Sequence, residues 1–133
     1  MTKKMPTIVA IDDSITSISV YQFSVESLAV NFMSFKSSDE AIPYLQEHKP
    51  DLLFLDIIMP GMDGLSLLKH LRNMTHHKET PVIMVTSKDY AQDRYVAKQL
   101  GAVDFLIKPL RFQEIRDIVY KYIDVKPKSS TQS

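Results

Sequence analysis

The chain contains no cysteine. That excludes a fold built on disulfides and a thiolate metal site, whatever the compartment. Long apolar runs are missing too: the longest hold about five residues, far short of the ~20 that a membrane-crossing helix needs. Thr7–Ile11, behind the basic stretch Met1–Pro6, is too short for a signal-peptide core. No glycine-rich run leads into Lys-Ser/Thr, so a phosphate-cradling P-loop is absent. A basic patch is lacking as well. The formal net charge is zero, but Lys3, Lys4, Lys126 and Lys128 sit near the two ends. That leaves 12 basic against 16 acidic residues in 7–124, a body of −4. A nucleic-acid-binding domain should show the opposite sign, so direct nucleic-acid binding is not expected.

What remains is ordinary globular material. The 133 residues, 44% hydrophobic and 24% charged, make one domain. A chain of this size removes roughly two thirds of its unfolded surface from water and needs no staples. Residues 1–6 read as an N-terminal tail and 7–124 as the domain. Residues 125–133 have no apolar period and read as a linker or disordered tail. The chain is thus either a stand-alone unit or a domain followed by an output segment.

Four short apolar runs punctuate the body: Thr7–Ile11, Leu52–Leu55, Val82–Val85 and Val103–Ile107. Their length and β-branched content favour strands. Three are nearly continuous rather than alternating, which suits a parallel sheet covered on both faces. A fifth run, Asn31–Phe35, alternates and reads as an edge strand. Helical spacing fills the gaps. Ile18, Tyr21, Val25 and Leu28 mark one face of 14–29. Ser37, Ser38, Asp39 and Glu40 offer a capping box, but Pro43 predicts a late or kinked start to that helix. Asp63-Gly64 introduces Leu65, Leu68 and Leu71. Tyr95, Val96 and Leu100 mark a helix closed by Gly101, and Phe112, Ile115, Val119 and Tyr122 mark the last. Strand and helix therefore alternate five times, which predicts an α/β fold with a parallel sheet and right-handed crossovers.

In such sheets ligands sit beyond the carboxyl ends of the strands. Asp12-Asp13 follow the first central strand, Asp56 the third, Thr86-Ser87 the fourth and Lys108-Pro109 the fifth. Three carboxylates in one small space repel unless neutralised. Lys108 and a hard divalent cation with oxygen ligands would balance them. The absence of cysteine and of a histidine after these strands argues against zinc. Magnesium, or manganese in its place, binds carboxylates and phosphate oxygens together, which implies a phosphoryl ligand.

An ordered set of motifs spans about 7–124: Asp12-Asp13, the run Asp56-Ile57-Ile58-Met59-Pro60-Gly61-Met62-Asp63-Gly64, then Val85-Thr86-Ser87, and Gly101-Ala102-Val103-Asp104-Phe105-Leu106-Ile107-Lys108-Pro109. On these residues the chain resembles the receiver domains of two-component response regulators. The resemblance implies a doubly wound, flavodoxin-like sheet of order 2-1-3-4-5. It implies that Asp56 accepts a phosphoryl group from a phosphohistidine on a sensor histidine kinase or histidine phosphotransfer protein. It further implies that Asp12, Asp13, Asp56 and the Ile58 backbone carbonyl hold Mg2+, and that Lys108 and Thr86 contact the phosphoryl oxygens. Phe105 would turn inward as Thr86 moves. The family uses the helices over 89–98 and 111–122 for output or dimerisation, and its expected home is the cytoplasm. Such a domain is a signalling switch that also catalyses its own phosphorylation and dephosphorylation.

Other readings exist for the same residues. Asp12-Asp13 could cap a helix, Phe105 could be plain core, and the polar residues of 89–98 could be a wet face. His76-His77 lie in a polar stretch and read as a solvated loop. A haloacid-dehalogenase-like phosphatase would need an acid two residues after the nucleophile, where Ile58 stands. A receiver-like module that is never phosphorylated is the third possibility. Two expectations concern details. Ile15 and Pro109, beside the active edge, would dock a partner. Ile58 and Lys88 flank the path of a hydrolytic water and cannot accept its proton, which predicts a long-lived phosphoryl group.

Overall fold

The computed structural model describes residues 4–128. Strands β1 (Thr7–Ile11), β2 (Asn31–Phe35), β3 (Leu52–Asp56), β4 (Val82–Thr86) and β5 (Asp104–Ile107) form one sheet of order β2-β1-β3-β4-β5, with every neighbouring pair parallel. Between and after them run α1 (Ile15–Val25), α2 (Ser38–Glu47), α3 (Gly64–Arg72), α4 (Ala91–Gln99) and α5 (Phe112–Tyr122). The expected doubly wound fold is therefore present, with β2 at an edge.

The near-continuous apolar runs are buried on both sides, because helices cover both faces of the sheet. Successive side chains point to opposite faces. Ile8, Ala10, Leu52, Phe54, Ile83, Val85 and Leu106 pack with α1 and α5 through Tyr21, Val25, Ile115 and Val119. Val9, Ile11, Leu53, Leu55, Val82 and Met84 pack with α2, α3 and α4 through Leu45, Leu67, Leu68, Leu71 and Ala97. Side-chain oxygens of Ser14, Ser37 and Asp63 cap the first three helices.

Four expectations are corrected. Pro43 does not delay α2, which starts at Ser38 because Ser37 Oγ accepts from the Glu40 N–H at 3.1 Å. The hydrogen bond that Pro43 removes would have ended on the Asp39 carbonyl, in an exposed turn where water can serve. Tyr95 does not face the core: it is 62% exposed, and Ala97 is the residue that α4 buries.

His77 is fully buried rather than solvated. Its Nε2 lies 2.6 Å from the Leu45 carbonyl and its Nδ1 2.8 Å from Thr80 Oγ1. The carbonyl is one of those that the end of α2 leaves without a helical partner. The neutral ring with a proton on Nε2 satisfies both contacts, and burial lowers its pKa. Arg72 closes the same corner, donating from Nε to the Leu100 carbonyl and from Nη2 to that of Thr80.

The fourth correction concerns residues 125–128, which do not leave the domain. The Lys126 carbonyl accepts from Ala29 N–H at 2.8 Å, Lys128 N–H donates to Ser27 at 2.7 Å, and Val125 packs on the core. Pro127 forms an antiparallel bridge with Leu28. Residues 1–3 of the expected N-terminal tail and 129–133 of the expected linker lie outside the described residues.

Candidate functional site: an acidic edge with one lysine

The alternation that builds the α1/α5 core also builds the site. Ala10 and Phe54 face α1, so Asp12 and Asp56, two residues on, fall on the same side at the carboxyl end of the sheet. Asp12 extends β1 by one bond, its N–H donating to the Phe35 carbonyl at 3.0 Å. Asp56 closes β3. Both are buried, Asp12 at 0% and Asp56 at 2% exposure, while Asp13 is exposed. Ligand oxygens of Asp12, Asp13 and Asp56 all lie within 4.8 Å of one another.

Lys108 follows β5 with the parity of Leu106, which puts it on that side too. Its Nζ donates to Asp12 Oδ1 at 3.1 Å and to Asp56 Oδ2 at 3.4 Å. One ammonium therefore serves two buried carboxylates. The shortage of positive charge shows at Asp56, whose pKa is raised from 3.8 to about 7. Burial is the first cause and the Asp12 charge the second, with Lys108 opposing them. Asp12 Oδ1 also accepts the Ser14 N–H at 2.9 Å. Asp12 Oδ2 lies 3.1 Å from Lys108 Nζ but, although buried, accepts no hydrogen bond. Three convergent carboxylates, one of them with an unpartnered oxygen, fit a hard divalent cation.

Gly64 closes the floor. Its N–H donates to the Ile57 carbonyl at 2.8 Å. A Cβ here would stand 2.1 Å from the Asp56 carbonyl oxygen. Only glycine lets α3 start this close to the end of β3. Ser38 Oγ ties down the same loop by donating to the Met62 carbonyl at 2.9 Å.

Thr86 and Phe105 share the opposite face of the sheet. Thr86 has the parity of Met84, and Met84 pairs with Phe105 in the β4–β5 register. The buried Thr86 hydroxyl is bonded to Lys88, not to Asp56. Phe105 is half-buried on the α4 side, with the Arg94 guanidinium 4.4 Å from its ring centre. Arg94 is held in turn by Asp89, at 2.6 and 3.1 Å. The polar residues of 89–98 thus include an anchored arginine, which sequence reading left as wet surface. Its five-residue spacing from Asp89 matches no helical repeat, so only the stacked ring reveals it. Around the rim, Ile15 is 72% and Ile58 47% exposed, and Lys88 and Pro109 are exposed as well.

An acidic pocket with one lysine, at the carboxyl edge of a five-stranded parallel sheet, defines a doubly wound α/β protein with its working groups on strand ends. The chain belongs to the response regulator receiver domain family, which it matches over residues 8–120. It is 33% identical over 111 residues to the cyclic di-GMP phosphodiesterase response regulator RpfG of Xanthomonas campestris, covering 82% of this chain and 29% of that one. It is 30% identical over 108 residues to the alkaline phosphatase synthesis transcriptional regulatory protein PhoP of Bacillus subtilis, covering 81% and 44%. The chain therefore spans less than half the length of these relatives. The chemotaxis protein CheY4 of Vibrio cholerae has the same fold, with a TM-score of 0.83 at 23% identity, over 90% of this chain and all of that one. Domains of this family work with histidine kinases or phosphotransfer proteins and bind Mg2+ at an aspartate cluster. No helix among the described residues is long and apolar enough to cross a membrane.

Proposed function

We propose that this receiver domain is switched by phosphorylation of Asp56. The observation that carries the reading is the buried Asp56 carboxylate, held against Asp12 and Lys108 at the open edge of the sheet. A carboxylate oxygen of Asp56 attacks the phosphorus of a phosphohistidine on a sensor kinase or histidine phosphotransfer protein. The O–P bond forms as the N–P bond breaks, and the imidazole leaves with its electron pair. The product is an acyl phosphate. Asp12, Asp13, Asp56 and the Ile58 carbonyl would hold Mg2+, with Mn2+ as a substitute. The ion would supply positive charge to neutralise the carboxylates and favour a phosphoryl ligand there.

Lys108 supports the reaction from the protein side. It pairs with Asp56 before transfer and with a phosphoryl oxygen afterwards. Phosphorylation replaces a charge of −1 with one of roughly −2, which calls for new donors. The Thr86 hydroxyl becomes one by leaving Lys88. The space it vacates admits Phe105, and α4 and α5 carry the change to an output domain or a second copy. Ile15 and Pro109 are exposed apolar residues on the rim and meet the phosphohistidine protein. The donor and the domain then share the cytoplasm.

Incubation with acetyl phosphate and Mg2+, followed by intact-mass measurement, tests the acceptor. Wild type gains one phosphoryl group and Asp56→Asn gains none. An Asp56→Asn protein that is still labelled overturns the assignment.

A further inference from the structure

Among the described residues, two buried side-chain polar atoms have no hydrogen-bond partner: Asp12 Oδ2 and the hydroxyl of Tyr21. Buried polar groups are nearly always paired, so each such exception calls for a cause. These two lie on the same side of the sheet. Tyr21 projects from α1 into the α1/α5 core, 1% exposed, and its ring packs on Phe54 with centroids 4.9 Å apart. Phe54 stands two residues before Asp56, and Ala10 of that core two residues before Asp12. The tyrosine therefore reaches the sheet directly behind the acidic edge. Burial raises its pKa first, and the charges of Asp12 and Asp56 raise it next. The hydroxyl is beyond direct bonding distance of Asp12 yet close enough to feel its charge.

A phenol in this place is an expensive choice for a residue that only packs. A phenylalanine would fill the core without stranding a hydroxyl beside two carboxylates. We infer that Tyr21 is a positioning residue for Asp12, its hydroxyl donating through one buried water to Asp12 Oδ2. The water gains partners on both sides, and both otherwise stranded atoms are satisfied. Asp12 then has a fixed carboxylate plane: Oδ1 is held by Ser14 N–H and Lys108, while Oδ2, 3.1 Å from Lys108 Nζ, takes the Tyr21-held water on one lone pair and keeps the other for the cation. Groups that orient a metal-binding carboxylate in this way tune affinity without touching the ion.

The inference rests on the proposed cation site and deepens it, so the test separates the two. Mg2+ affinity is measured by calorimetry on wild type, Tyr21→Phe and Val25→Ala. Val25 lies one turn further along α1 in the same core, 3% exposed, with no polar group. Wild type binds Mg2+, Tyr21→Phe binds it about tenfold more weakly, and Val25→Ala melts earlier but keeps its affinity. A wild type that binds no Mg2+ sinks the cation site itself. A wild type that binds, with Tyr21→Phe within about twofold of it, overturns the role of Tyr21 alone. So does an equal loss in Val25→Ala, because the effect would then be packing.

Discussion

Thr86 and Lys88 hold each other in a closed turn. The Thr86 hydroxyl donates to the Lys88 carbonyl at 3.2 Å and accepts the Lys88 N–H at 3.1 Å. Both bonds are to backbone, so the hydroxyl cannot swing toward Asp56 without releasing the start of the β4–α4 loop. In the proposed switch, phosphorylation and loop movement are therefore one event. Thr86→Ala should accept the phosphoryl group from acetyl phosphate and fail to transmit it. Amide shift changes at Phe105 and along α4 on phosphorylation should fall below about half of those in wild type, while Thr86→Ser keeps them. Full-sized changes in Thr86→Ala would show that the hydroxyl is not the link.

Asp56 makes stability depend on pH with a definite sign. Its folded pKa, about 7, lies above the ordinary 3.8, so the fold prefers the protonated form. The stability this confers is complete below about pH 4 and is lost as pH rises through about 7. The buried His77 works the other way, since its lowered pKa costs stability as pH falls. That contribution is common to wild type and Asp56→Asn, so it cancels between them. In chelator, the melting temperature of Asp56→Asn should pull ahead by at least several degrees between pH 4 and 8. Mg2+ should narrow the gap by stabilising wild type. A gap independent of pH would mean that Asp56 is not held protonated.

Gly64→Ala places a methyl group where the Asp56 carbonyl already stands. Either α3 or the end of β3 must shift, at a cost of about 2–3 kcal/mol. Urea unfolding should show the loss, and Mg2+ affinity should drop with it because the Asp56 backbone moves. Gly61, where a Cβ would meet nothing within 4 Å, is the control for site damage. Gly61→Asn, which tolerates positive φ, should keep its affinity.

The proposed lifetime of the phosphoryl group turns on two residues at the rim. Ile58 is 47% exposed and Lys88 is exposed, so both side chains are free to face an incoming water. Neither can accept a hydrogen bond from it. Decay of labelled protein after donor removal should be slow, and Ile58→Asn and Lys88→Glu should each hasten it severalfold. Decay within seconds in wild type, or variants no faster than wild type, would remove these residues from the account.

Strand-end chemistry was legible because it depends on two short-range signals: an apolar run, then a polar residue of the right type. Parallel packing gathers such ends without further information. Asp12, Asp13, Asp56 and Lys108 meet for that reason. Two of the corrected readings, His77 and residues 125–128, depend on partners far away in the chain. His77 is buried because the end of α2 leaves the Leu45 carbonyl open, 32 residues earlier. Residues 125–128 stay on the domain because backbone groups at Ser27 and Ala29 bond them. Tyr95 follows the helical period yet points outward, since α4 lies beside the thin β5 edge and buries little. No local pattern encodes any of these.

The tight seat of Gly64 against Asp56 has a mechanical side. On that flank the acceptor strand has no clearance, so α3 acts as a backstop. On the other flank lies a loop closed by two hydrogen bonds. A push generated at Asp56 meets stiffness in one direction and give in the other. If Asp56 is phosphorylated as proposed, the domain would rectify: added charge at its centre would become displacement toward β4, α4 and Phe105 rather than toward α3. A receiver with slack on both flanks would spread the same push and deliver it nowhere in particular.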